Sequence, residues 1–443
     1  MFKYKRFFIG LLYAVTLYGQ ESDLTVERCV EMALANNPVL RMAEMQSRIA
    51  DESGRQAQSD MLPSLAFSGS YRRQSMVPEL DMSRITSALP FPLADVPKNI
   101  EIGSPDVYDF RVTLNQPLFT GFQLSNRKHM TQKLALAKNS DAAKSRAEVV
   151  YKVRLACGQF LKAQRFLEIA RTGRDQVAEH LRVVQNFIRQ GIIGQEEGLK
   201  VQVKLTEAEV AVVQAENAVR LAKSALEHAM GVTLPQNSRV IPAAVENIQS
   251  MDVQSSLQQA LAARNELRSI QYTIQAAESA ARMARGGYFP VVAAFATGGY
   301  GKPGLNFVDK EWMDYWIVGV GMEWNLWNWN KTSSLSQQAK LNVQSAREGL
   351  REAELAIRTD VTMACLQVNE AVERLRLTNE LQQQAAESFR VIENKYAQGV
   401  AGNSDFLDAQ MDLTRAMLQK AQAEADYQVA LANHQRAVGG SNP

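Results

Sequence analysis

The sequence predicts a mainly α chain with a small β part, built as two copies of one unit, and three observations carry that prediction. The chain matches itself at constant offsets, and the hydrophobic period switches from 3.6 to 2 after Pro63 and again after Pro290. Helical pattern without proline then runs for roughly 60 residues in each half, or about 90 Å at 1.5 Å per residue.

Composition narrows the function. Of 443 residues, 46% are hydrophobic and 22% charged, and only 25 Gly and 13 Pro are present, so the chain is neither low-complexity nor collagenous. A balance of 49 basic against 47 acidic residues leaves +2, which gives no basis for a nucleic-acid partner. Three cysteines make no disulfide framework; Cys157 and Cys365 sit in helical pattern and are expected to pack as small hydrophobes. The four histidines lack metal-ligand spacing, and no nucleophile, base and orienter cluster occurs. No catalytic residue, cofactor or metal is therefore expected.

Residues 1–19 read as a signal peptide: basic Lys3, Lys5 and Arg6, an apolar core from Phe7 to Tyr18, then Gly19 as the cleavage neighbourhood. A signal anchor is the competing reading, but an apolar core of about a dozen residues is short for a bilayer. Cys29 lies too far along to be a lipidated first residue.

Residues 20–230 form the first repeat, 231–255 a linker, 256–438 the second repeat and 439–443 a tail. Ala33-Leu34, Leu40, Arg55 and Pro63 match Ala260-Leu261, Leu267, Arg282 and Pro290 at an offset of 227. Ala156-Cys157, Gln190-Gly191, Gly194 and Leu199 match Ala364-Cys365, Gln398-Gly399, Gly402 and Leu407 at 208. The first copy thus carries an insertion, placed in the proline-rich stretch from Val77 to Asp106, which reads as loop.

Each copy then reads as helix, strand pair, long helix, turn, helix. Strands are predicted at about 64–76 and 107–118, and at about 290–300 and 316–327. Tyr108, Phe110, Val112 and Leu114 alternate with Asp109, Arg111, Thr113 and Asn115, giving one apolar and one watery face. Trp316, Val318, Val320, Met322, Trp324 and Leu326 do the same in copy two; residues 290–300 alternate poorly. The five tryptophans, Trp312, Trp316, Trp324, Trp327 and Trp329, fall where an aromatic girdle at a membrane boundary would place them. A soluble β-sandwich core competes with that reading. Four strands cannot close a bacterial barrel, which begins at about eight, so a transmembrane reading requires several chains.

In the return helix, Leu205, Ala208, Val212, Ala215, Val219, Ala222, Leu226 and Ala229 repeat at steps of three and four, a coiled-coil seam. In copy two Lys420 and His434 interrupt the equivalent seam. Ala353, Ile357, Val361, Ala364, Val368, Ala371 and Leu375 make a comparable stripe.

ALANNPVL at 33–40, MLPSLAFSGSY at 61–71, NQPLFTGF at 115–122 and KYAQGVAGNSDFLDAQ at 395–410 resemble the outer-membrane efflux protein family typified by TolC. The resemblance spans almost the whole chain after residue 19. It implies a homotrimer, each chain giving four strands to a 12-stranded transmembrane β-barrel in the outer membrane of a Gram-negative bacterium. A coiled-coil α-helical barrel would continue it across the periplasm, with the linker in an equatorial belt. It further implies a periplasmic adaptor and an inner-membrane pump of the RND, ABC or MFS type as partners, beside outer-membrane lipid.

On this resemblance Asp405 and Asp408 match aspartates that ring the periplasmic constriction. Copy one has Glu197 and Lys200 there. Helix capping is the competing role for Asp405, with Ser404 as the expected N-cap. The archetypal channel has an arginine two residues after the turn glycine that helps tie the gate; this chain has Ala401, which puts such a lock in doubt. The tips Gly191-Ile192-Ile193-Gly194 and Gly399-Val400-Ala401-Gly402 resemble adaptor-docking points, with Ile192, Ile193 and Val400 expected as an exposed apolar knob; plain buried turns compete. The function implied is a passive exit duct of a tripartite efflux or type I secretion system, opening like an iris at the turn end. A soluble periplasmic coiled-coil scaffold is the alternative.

Overall fold

The computed structural model describes residues 23–83, 99–235, 238–241, 250–306 and 310–440. The predicted signal peptide, residues 1–19, lies outside the described residues. The chain divides into two compact units: one of residues 1–43, 142–265 and 354–443, the other of residues 44–141 and 266–353.

Elements recur at the two sequence offsets. Helices α1 (Val26–Asn36) and α2 (Pro38–Ser59) have counterparts in α5 (Val253–Ala263) and α6 (Asn265–Arg285), each starting 227 residues later. Thr25 caps α1 by accepting from Arg28 N, and Asp252 caps α5 by accepting from Ser255 N. The long helices α3 (Gln123–Arg189) and α7 (Lys331–Ala397) both have 67 residues, 208 apart, and return through α4 (Gln195–Met230) and α8 (Asn403–Ala437).

The second unit holds a four-stranded antiparallel sheet in the order β2 (Ser64–Arg73), β5 (Asp106–Thr120), β7 (Val291–Lys302), β8 (Met313–Glu323). Each repeat's pair is joined to the other through β5 and β7, with Thr113 opposite Thr297. A bulge between Pro117 and Phe119 accommodates a proline inside a central strand, where it has no N–H to give the ladder. The predicted strand at 316–327 ends at Glu323, so Trp324, Leu326 and Trp327 lie past it, and the first strand ends at Arg73 rather than residue 76. Residues 291–302 alternate poorly because Ala and Gly occupy most of both faces, leaving room for neighbouring rings.

The Val77–Asp106 insertion is not all loop. Glu79–Asp81 (β3) pairs with Asn99–Glu101 (β4) in a short antiparallel ribbon. Between the repeats, β6 (Arg239–Val240) pairs in parallel with β1 (Asp23–Leu24), an association of two short segments that carry no periodic signal.

In the first unit α1 packs on α4 and on the α3 residues from 142 onward, burying Val30, Val153, Phe160, Leu226 and Met230 almost completely. Along α4 the predicted seam is the inward side: Val212 and Leu226 are buried and the other members half-buried. On α7, Ile357, Val361, Ala364 and Val368 are likewise buried. In copy two's return helix the interruption at His434 is satisfied by a 3.0 Å hydrogen bond with Ser256. No helix among the described residues is long and apolar enough to cross a membrane.

Candidate functional site

The two faces of the sheet differ in chemistry. Leu65 and Phe67 of β2, Phe110 and Val112 of β5, and Trp316, Val318, Val320 and Met322 of β8 share one face, by register and by alternation. Phe67 is 72% exposed, Trp316 78% and Val318 67%, so this apolar face has no cover among the described residues. Aromatic rings rim both ends. At one end Tyr71 meets Tyr108 at 4.9 Å between centroids, and Trp312 lies 5.5 Å from Tyr108 and 5.0 Å from Tyr300. At the other, Phe119, Phe122 and Phe289 contact edge-on, Trp324 Nε1 donates to Tyr288 O at 3.2 Å, and Trp327 meets Trp329 at 5.7 Å.

Of the five predicted tryptophans, Trp312 therefore sits at one rim, Trp324, Trp327 and Trp329 at the other, and Trp316 on the strand between. The tyrosines and phenylalanines that complete the rims were missed; their signal was their place at strand ends. The junction into each long helix is a pair of left-handed residues, Gly121-Phe122 and Trp329-Asn330, again 208 apart. At Gly121 a Cβ would come within 2.5 Å of Gly286 O, which excludes any larger residue.

The opposite face is polar. Arg111 pairs with Asp109 at 2.6 Å, the Tyr315 hydroxyl donates to Asp109 Oδ1 at 3.2 Å, and Thr113 bonds Thr297 at 3.2 Å. Tyr315 lies against Gly299 and Phe295 against Gly319, where a Cβ would approach the rings to 2.1 and 2.7 Å. Both rings thus lie along the sheet instead of standing off it.

In the first unit, both helical hairpins turn through the same geometry. Gly191 and Gly399 adopt φ of +70° and +71°. Gly191 N donates to Ile188 O and Ile192 N to Phe187 O; Gly399 N donates to Tyr396 O and Val400 N to Lys395 O. These are two Schellman closures, and the left-handed residue at their centre is why each position is glycine. Ile192 and Val400 are exposed, at 62% and 74%. Ile193 is not: it is half-buried against the core cluster of Val177, Leu181, Val184, Val201 and Leu407, because the chain re-enters α4 at that point, so the apolar knob is smaller than expected. Ala401 is half-buried, and Gly194 and Gly402 are the N-caps of α4 and α8.

Ser404 is therefore not the N-cap. Asp405 is the third residue of α8 and its Oδ2 accepts from Gly402 N at 2.9 Å. Asp408, one turn on, is exposed and makes no side-chain hydrogen bond or ion pair among the described residues. Beneath them lies a polar cluster that sequence spacing did not reveal. Buried Asn403 bonds His180 of α3 at 2.6 Å and donates to Glu197 of α4 at 2.8 Å, and Lys200 pairs with Glu197 at 2.6 Å. His180 stacks on Phe406 at 4.0 Å, with Tyr396 5.0 Å away. Burial pushes the His180 imidazole below its ordinary range, against the opposing pull of the Asn403 bond. Its partners stand more than 200 residues away, so no local pattern points to them.

The profile of the outer membrane efflux protein family matches residues 29–232 and 256–440, the two repeats in turn. Alkaline protease secretion protein AprF of Pseudomonas aeruginosa is 23% identical over 412 residues, covering 90% of this chain and 81% of that protein. Among solved structures, CusC superposes with a TM-score of 0.78 at 16% identity, covering 97% of this chain and 96% of its own. The Campylobacter jejuni CmeC outer membrane channel gives 0.77 at 15%, with 94% and 86% covered. The Neisseria gonorrhoeae MtrE channel in its open state gives 0.75 at 18%, with 94% and 89%. With the profile spanning both repeats, the chain belongs to the outer membrane efflux protein family, and its place is the outer membrane.

Proposed function

We propose that this chain is one of three identical subunits of a passive exit duct, in which four strands from each close a 12-stranded barrel and the long helices continue it as an α-helical barrel in the periplasm. One observation carries this reading: among the described residues the sheet has an uncovered apolar face and two open edges, β2 and β8, of 10 and 11 residues. Long unpaired edges demand partners, and only closure removes them. Between the rims, Tyr108 to Phe119 is 11 residue steps, about 36 Å of strand, or about 28 Å when tilted as barrel strands are, which fits a hydrocarbon core. The polar face then lines the lumen.

The helices support the same assembly. Beyond its inward seam, α4 leaves Leu199, Val203, Val210, Val213 and Leu221 exposed, and α7 leaves Met363, Leu366, Leu377 and Leu381 exposed. Two such stripes on one subunit suit a head-to-tail ring. In a trimer, Asp405 and Asp408 contribute two rings of three carboxylates that favour cations. Ile192 and Val400 at the tips suit a periplasmic adaptor, through which an inner-membrane pump supplies cargo. Similarity to a protease secretion protein over most of the chain supports exported polypeptide beside small solutes as cargo.

The test is the mass and extractability of the protein. Expected is a complex three times the chain mass that resists carbonate and requires detergent. A carbonate-soluble monomer refutes the duct and supports a periplasmic scaffold.

A further inference from the structure

Three rows of facing residues cross the polar side of β5, β7 and β8. Arg111, Gly299 and Tyr315 make the first, Thr113, Thr297 and Ile317 the second, and Asn115, Phe295 and Gly319 the third. β5 gives every row a hydrogen-bonding side chain. β7 and β8 give each outer row one glycine and one ring, and the ring lies on the glycine of its own row. A ring so placed covers the backbone with one π-face and turns the other away from the sheet. With Ile317 between them, Tyr315 and Phe295 make an apolar platform spanning four residue steps of strand, about 13 Å, beside the polar residues of β5. Phe295 is 37% and Ile317 42% exposed, and among the described residues no other ring stacks on Phe295 or Tyr315. At the Tyr315 end stand Asp109, which accepts from its hydroxyl, and Arg111, whose side chain is half exposed.

Resting on the reading of this face as the lumen wall, we propose that the platform is a transit site for small planar aromatic solutes that bear a polar substituent. The solute stacks offset on an open ring face, where a saturated ring of the same size has no quadrupole to match. Its polar group meets Arg111, which offers donors, or Asp109, which offers an acceptor. An acyl chain fits badly, because Arg111, Asp109 and Thr113 would then face hydrocarbon. Contact from one side only keeps residence short, and passage needs a site that is easy to leave as well as to enter.

The full chain is reconstituted in planar bilayers and titrated, from the side of the sheet domain, with free phenylalanine and with cyclohexylalanine, which differ only in the saturation of the ring. Hydrophobicity alone favours the saturated ring, so the order of the two reports stacking. Expected is half-block of the ionic current at a phenylalanine concentration about two- to tenfold below that of cyclohexylalanine. Phe295→Leu with Tyr315→Leu keeps both glycines covered and should abolish that order, whereas exchanging the rings, Phe295→Tyr with Tyr315→Phe, should preserve it. Phe295→Leu alone, which removes no hydrogen bond, should narrow the gap even if the double variant does not assemble. Block by cyclohexylalanine at an equal or lower concentration in the natural channel overturns the site, as does an unchanged gap in the leucine variants or its loss on ring exchange. A chain that gives no conductance at all refutes the duct itself, and the transit site falls with it.

Discussion

Asp405 and Asp408 look alike in sequence but do different work in the fold, and substitution separates them. Asp405 closes the first turn of α8 through Gly402 N, so Asp405→Ala lowers thermal stability as well as altering conductance. Asp408 has no such duty, and Asp408→Ala is expected to change single-channel conductance and cation block with the melting temperature unmoved. Unchanged conductance in both variants removes the gate assignment. His180 carries the pH dependence. Its pKa falls on folding, so the unfolded chain binds more protons; the packing is at full strength above about pH 6.5 and weakens as pH drops through that value. Buried His434 shifts the same way through desolvation, so His180→Phe makes the loss of melting temperature between pH 7.5 and 5 shallower, not absent. The carboxylates at the tip were legible from the motif around them. The histidine was not, because burial and long-range pairing leave no mark in local spacing.

At the level of elements, the repeats, the two long helices and the strand pairs were legible because each rests on a period or an offset that the chain states directly. Boundaries were less so. Trp324 and Leu326 continue the alternation of β8 although the ladder stops at Glu323, since side-chain pattern does not register where backbone pairing ends. The β1–β6 pair was illegible, two residues each being too short for any pattern. Facing determines tolerance in the sheet. Val320→Arg on the apolar face is expected to cost about 2–4 kcal/mol near the bilayer midplane and reduce the heat-modifiable folded band on gels. Thr113→Arg on the polar face should leave that band intact and lower conductance. In the hairpins, Gly191→Ala and Gly399→Ala force a left-handed residue and cost about 1–2 kcal/mol each, read by chemical denaturation.

For the molecule as a whole, assembly and local folding are separable. The exposed stripe on α4 contributes nothing to the chain's own core, so Val210→Glu with Val213→Glu should preserve helical content by circular dichroism and abolish the proposed trimer by crosslinking. Trimer retained in the double variant excludes this stripe from the interface. The paired Schellman closures have a last mechanical implication. Because both bends are closed by backbone bonds that no side chain supplies, the iris-like opening expected of a duct requires each hairpin to move as a unit, without fraying at its end. Amide hydrogens of Ile192 and Val400 should then exchange with deuterium equally slowly in the shut and the dilated states.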